Sequence, residues 1–307
     1  MEIGQVVGGR YELRRVLEVG GRSTLLEAVA REQDQFVVVE VFRRFRLAHE
    51  NAPFLRELEL AAALRSSHVA RVLGSGCDRE GANYVVSEPP EGESLGTLLR
   101  RQGPLPLVRI VELMLQVCGA LGEAHEAQLV HQDVSPETLF LTRQSDGSPC
   151  MKVRGFGARR ALLAISEGGE LEASHFTAPE QHPSALSVDR RTDVWGLGAT
   201  IYELASGRRP FEHGPSQLET ALLTSEPRPL AERRPGLPAA FSDAVMRCLM
   251  RSPSARYGSI SDLADALVPY GPKRGVSGTM RSVLAAGATR LRSSTERVRD
   301  LVRHGKW

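Results

Sequence analysis

No apolar run in this sequence approaches eighteen residues, so there is no candidate transmembrane helix. The opening MEIGQVVGGR lacks the basic-then-apolar layout of a secretory signal. Cysteine is sparse. Cys77, Cys118, Cys150 and Cys248 are scattered and form no CxxC pair, which argues against a zinc site or disulfide framework and fits a reducing cytosol. Neither sign of charge dominates, and the formal net charge is +2, but its distribution is uneven. Residues 273–307 hold nine Lys/Arg against Glu296 and Asp300, a net of +7, which leaves −5 for the rest. The hydrophobic share of 41% and charged share of 25% are ordinary for a globular chain. A length of 307 residues suffices for one large domain or two lobes with a real core.

What is present reads as β-rich text followed by helix-rich text. YELRRVLEV and STLLEAVA are short strands around a glycine-containing turn, and QFVVVEVF is a Val-rich run of strand length. FLRELELAAAL puts Leu55, Leu58 and Ala62 on one helical face. RVLGSGC and NYVVSE are two more strands. After PPEGES the period becomes 3.6: Ile110, Met114, Val117, Cys118 and Leu121 follow it, as do Val194, Leu197, Ile201 and Leu204. Gly207 stands where a helix C-cap glycine belongs. There is no internal repeat. The pattern predicts an α+β chain in which a β-rich lobe of about 80 residues joins a helical lobe about twice that size.

Motifs then narrow the reading. LVHQDVSPETLFL resembles the catalytic loop HRDLKPENxxL of the bacterial eukaryotic-like serine/threonine protein kinases. KVRGFGARR resembles their metal-binding segment KVxDFGxAR, and TAPEQ their APE motif. VDRRTDVWGLGATIYELASGRRPF resembles the helix that follows, and PSARYGS the terminal Arg motif. One such motif is weak; five in order at proper spacing are strong. The resemblance implies a two-lobed protein-kinase-like fold, with a small N-lobe at about 10–88, a larger helical C-lobe at about 91–270 and a kinase-like domain over 1–270.

The resemblance also implies a chemistry, and the sequence departs from it. Phosphoryl transfer in such proteins is mostly positioning and electrostatics. The strand Lys that holds phosphates corresponds to Glu40, while its helix partner is kept as Glu57. Two such carboxylates ~4 Å apart at an effective dielectric of ~20 would repel by about 4 kcal/mol. The metal-binding Asp corresponds to Gly155 and the metal-binding Asn to Thr138, so no metal ligand set remains. The catalytic-loop Lys corresponds to Ser135. Asp133 is the retained catalytic position, and structural hydrogen bonding at the loop is its expected role. Of the glycine-rich loop only Gly20 is kept. Glu88 is the first hinge residue, and Pro90 falls where a backbone N–H should donate to adenine. ATP and Mg²⁺ binding is therefore expected to be weak or absent. Gln132 replaces the Arg that receives an activation-loop phosphate, which argues against that switch. Arg154, just before Gly155, is a candidate bridge between Glu40 and Glu57.

Structural positions of the family are kept. His131 and Phe156 match a stacked pair in the internal column, Asp193 the helix residue that bonds the catalytic-loop backbone, and Glu180 with Arg256 a buried ion pair. Scaffold kept and transfer residues lost together predicts a catalytically inactive regulator or scaffold. It would bind a protein partner, an active kinase or a kinase substrate, in the cytoplasm. The alternatives are a weak atypical serine/threonine kinase or nucleotide-dependent transferase, and a nucleotide sensor without catalysis.

The segment 271–307 lies beyond the resemblance and reads as a basic amphipathic helical tail. Met280, Val283, Leu284, Leu291, Val298, Leu301 and Val302 fall mainly on one face, with arginines on the others. It is expected to pack on the helical lobe, to lie peripherally on an anionic membrane surface, or to dock in a partner groove. Aromatic residues are absent from it apart from Trp307, which disfavours nucleic acid.

Overall fold

Short strands build the N-terminal part of the chain, up to Ser87. In the computed structural model, which describes residues 3–19, 23–42, 51–77, 82–89, 91–159, 173–182 and 188–272, the strands β1 (Val6–Val7), β2 (Tyr11–Val19), β3 (Ser23–Ala30) and β4 (Gln35–Phe42) precede helix α1 (Asn51–Ala63). Strands β5 (Val72–Cys77) and β6 (Asn83–Ser87) follow it. They form a six-stranded antiparallel sheet in the order β1-β2-β3-β4-β6-β5. Its core gathers Leu13, Leu26, Ala28, Val37, Val39, Tyr84 and Val86. Strand β4 lies between two neighbours, so its apolar residues form a run rather than an alternation: Val37, Val38, Val39 and Phe42 are all buried.

Helix α1 buries Leu58 as expected, but not Leu55 and Ala62. Leu58 is 2% exposed and Ala61 1%, whereas Leu55 is 39% exposed and Ala62 is exposed. In so Ala- and Leu-rich a segment, stripes one residue apart are nearly equivalent. Tertiary packing selects Leu58, Ala61 and the following Leu64: Ala61 and Leu64 join the core of the helical part, and Leu58 lies beside Gly157.

The second half is helical around a small sheet. Strand β7 (Glu93–Ser94) pairs with β8 (Leu139–Arg143), and β8 with β9 (Pro149–Val153). Helices α2 (Leu95–Gln102), α3 (Leu107–Glu126), α4 (Arg191–Ser206), α5 (Pro215–Thr224), α6 (Leu230–Arg233), α7 (Ala239–Cys248) and α8 (Ile260–Leu267) complete it. The stripes read from the sequence on α3 and α4 are buried, and Gly207 caps α4 at φ 72° with its N–H on the Glu203 carbonyl. The halves meet where the segment after α1 docks on β9: the Ala70 N–H donates to the Val153 carbonyl at 2.9 Å, and the Val153 N–H to the His68 carbonyl at 2.8 Å. That seam ends at Arg154. The architecture is α+β, a small β-rich lobe and a larger helical lobe.

Among the described residues no helix is long and apolar enough to cross a membrane. The expected tail helix falls on 273–307, and Gly20 and Pro90 likewise lie outside the described residues.

Gly196 sets how closely α4 approaches the Asp133 loop. A Cβ at this position would stand 2.8 Å from the Val134 carbonyl oxygen and 3.1 Å from its Cβ. Gly196→Ala is expected to lower the melting temperature. The gain of ~1 kcal/mol in helix propensity is outweighed by overpacking of about 1–3 kcal/mol against a backbone atom that has no rotamer to give. An unchanged or raised melting temperature would contradict this.

Candidate functional site

The loop from His131 to Thr138 is held from below by one carboxylate. Asp193, in the first turn of α4 and 1% exposed, accepts the His131 N–H at 2.9 Å on Oδ2 and the Gln132 N–H at 2.7 Å on Oδ1. The His125 imidazole donates to the same Oδ2 at 2.7 Å. These bonds hold Gln132 at φ 66°, a conformation that a non-glycine residue adopts rarely. His131 Nε2–H donates to the Arg154 carbonyl at 2.9 Å, and Nδ1 accepts the Asp133 N–H at 3.2 Å, which defines the neutral tautomer. Its ring meets Phe156 edge-on, centroids 4.6 Å apart at 74°. The structural positions expected at His131, Phe156 and Asp193 are thus brought together on one loop.

Asp133 sits half-buried on this platform. The expectation that it makes structural hydrogen bonds is corrected in one respect. Its backbone makes them, while none of the hydrogen bonds among the described residues uses its carboxylate. Burial pushes that carboxyl above the usual Asp range. The charges of Arg159 and Arg154 pull the other way, and that of Asp193 adds to the rise. Arg159 is nearly buried, and its guanidinium is pulled below its usual range by the same desolvation, with Asp133 as the opposing charge. Nothing in the sequence pointed to Arg159, because its burial depends on how the turn after Phe156 is directed.

Gly155 and Thr138 show what became of the two metal-ligand positions. Gly155 has φ +96°, in the region glycine favours, and offers no side-chain oxygen. The Thr138 hydroxyl shares its proton between the Asp133 carbonyl at 2.9 Å and the Ser135 carbonyl at 3.1 Å, and accepts the Ser135 N–H at 3.1 Å. It is committed to the loop's own backbone, and buried Ser135 lies against it at 3.5 Å. These residues do not fit a divalent cation held as in the resembling family. Among the described residues, no group of three or more His, Cys, Asp or Glu side chains is arranged to hold a metal.

Glu40 occupies the middle of β4, opposite Leu25 of β3 and Val85 of β6. It accepts a hydrogen bond from Ser23 Oγ at 2.9 Å. Glu57 is on α1, half-buried. The expectation that Arg154 bridges the two carboxylates is not met. Its guanidinium lies over the Phe140 ring at 5.4 Å, and among the described ion pairs none joins it to Glu40 or Glu57. The physical reason is local, since a flat cation stacks readily on an aromatic face. At the hinge, Glu88 is fastened to both lobes: it accepts from Arg71 Nε at 2.7 Å and from Lys152 Nζ at 3.3 Å. Burial raises its carboxyl, but the hydrogen bonds and charge of Arg71 and Lys152 win and hold it below the usual Glu range.

The expected ion pair forms at the base of the site. Arg256 donates to both Glu180 oxygens, at 2.6 and 2.7 Å, and Thr192 Oγ1 donates to Oε1 at 2.8 Å. One contact went unnoticed in the sequence. Gln181, in the 3₁₀ turn Pro179–Gln181, donates from Nε2 to the Gln132 carbonyl at 2.8 Å.

Comparison with known proteins places this geometry. The protein kinase domain family matches residues 11–267. The serine/threonine-protein kinase pkn3 of Myxococcus xanthus is 29% identical over 269 residues, 84% of this chain and 49% of that protein. Serine/threonine-protein kinase PrkC of Bacillus subtilis is 29% identical over 272 residues, 86% of this chain and 41% of that protein. PknB of Mycobacterium tuberculosis, also a serine/threonine-protein kinase, is 28% identical over 330 residues, 97% and 52%. The chain spans about half the length of the curated relatives it matches. These names overturn the expectation of a catalytically inactive regulator or scaffold, and with it that of a non-catalytic sensor. The expectation rested on single positions that depart from the motifs, whereas the family match covers residues 11–267 as a whole.

Proposed function

The chain belongs to the protein kinase domain family, and from that premise we propose that it is a serine/threonine kinase of atypical cleft that phosphorylates a hydroxyl of a protein partner. The observation that carries this reading is the intact support of Asp133 by Asp193, His131 and Phe156. In the proposed step the bond from the γ-phosphorus of the nucleotide to its bridging oxygen breaks. A bond to the acceptor oxygen forms, and the hydroxyl proton passes to Asp133. A carboxyl raised above the usual Asp range is a stronger base than a free one once deprotonated. The positive charges of Arg159 and Arg154 favour its ionised form. Glu40 in the strand and the lack of a side-chain oxygen at 155 keep nucleotide affinity and turnover low in this proposal. Four free cysteines, three of them buried, are consistent with a reducing cytoplasm.

The test is transfer of labelled γ-phosphate from ATP to the protein itself and to a generic protein acceptor. Asp133→Asn is expected to lower transfer at least about a hundredfold, the lower range for a general base, with the melting curve intact. Undetectable transfer by the natural sequence, or equal transfer by the variant, would sink the reading. The pH profile adds a sign. The base works deprotonated and its pKa is raised, so activity should fall as pH drops through a value above that of an ordinary Asp.

A further inference from the structure

The activation-type segment returns to the described chain at Ala173 and reaches the 3₁₀ turn Pro179–Gln181. Two side chains of that turn point in different directions. Glu180 goes down to Arg256. Gln181 goes across: its Oε1 accepts the Ala178 N–H at 2.8 Å, and its Nε2 donates to the Gln132 carbonyl at 2.8 Å. A backbone N–H only donates and a carbonyl only accepts, so just one orientation of the amide satisfies both. The Gln132 carbonyl belongs to the residue held at φ 66°, whose N–H is already on Asp193 and whose next neighbour is Asp133. Both polar groups of the strained peptide are thereby occupied, one from α4 and one from the segment that follows residue 172.

Gln132 has no charge with which to receive a phosphate, so a phosphorylated residue has no partner at this position. The neutral amide already makes the link between segment and loop. We infer that Gln181 is a positioning residue that locks the Asp133 loop to the 173–182 segment without phosphorylation; for activity this rests on the kinase reading above, while the lock itself does not.

Gln181→Glu separates the two bonds. A carboxylate still accepts the Ala178 N–H, so the turn is kept, but it cannot donate to the Gln132 carbonyl and repels it. Hydrogen–deuterium exchange of the peptide covering 131–135 should then accelerate about tenfold or more, with the melting temperature of the whole chain nearly unchanged. Gln181→Met, which loses both bonds, should behave at least as strongly. In the transfer assay Gln181→Glu should lower kcat about tenfold with KM for ATP unchanged, and phosphatase treatment of the natural protein should leave kcat unaltered. Unchanged exchange in Gln181→Glu overturns the inference, as does loss of activity on phosphatase treatment. If the natural protein transfers no phosphate, the kinase reading fails and the exchange measurement alone decides the lock.

Discussion

Arg256→Met is expected to lower the melting temperature by about 6–20 °C. Arg256 is 2% exposed and all five N–H donors of its guanidinium are used. It bonds the carbonyls of Met250 at 2.7 Å, Arg191 at 3.0 Å and Arg251 at 3.0 Å, besides both Glu180 oxygens, and lies over the Trp195 ring at 4.9 Å. Methionine fills part of the volume and makes none of these bonds. Glu180, its side chain 9% exposed, would keep only the Thr192 hydroxyl. Breaking a buried pair by removing one partner costs about 3–5 kcal/mol, and about 2–4 °C per kcal/mol is the scale for a domain of this size. Adding Glu180→Gln to the variant should recover part of the loss, because the stranded charge is then gone. A single-variant shift under about 3 °C, read by circular dichroism, would show that water screens this pair.

The second large effect is placed at Asp193. Asp193→Ala removes the acceptor of two loop N–H groups and of the His125 imidazole at once. A buried donor left without a partner costs about 1–3 kcal/mol, so about 2–6 kcal/mol is expected from the two backbone groups alone. The same bonds hold Gln132 at positive φ, so the loop should relax toward ordinary backbone and take Asp133 with it. Thermal melting reads the first consequence, and amide exchange of the 131–135 peptide reads the second. Asp193→Asn should lie between Ala and the natural protein, since an amide supplies one oxygen where the loop and His125 use two. A melting temperature within about 2 °C of the natural protein, with unchanged exchange, would mean that Gln181 and the His131 bonds suffice to hold the loop.

Much of this protein was determined by its sequence. The five longer strands of the first sheet, the helical stripes on α3 and α4 and the Gly207 cap follow from spacing, and the Glu180–Arg256 pair from the motif resemblance. Backbone geometry repeats every 2 or 3.6 residues, and turns demand particular residue types at fixed offsets. The departures at Glu40, Thr138 and Gly155 were also plain, because a residue's chemistry is legible wherever its position is.

Tertiary structure alone decided the rest. It chose which of two adjacent stripes α1 buries, since both satisfy the helical period and only contacts in space separate them. It sent Arg154 onto Phe140 rather than to the carboxylates, and buried Arg159 where its charge is felt at Asp133. It brought Gln181 to the carbonyl of Gln132, forty-nine residues away. Such partnerships depend on the path of intervening loops and on the direction of a long side chain. The energy that fixes them is the desolvation of one group against its neighbours in space, and a linear pattern carries no record of those neighbours.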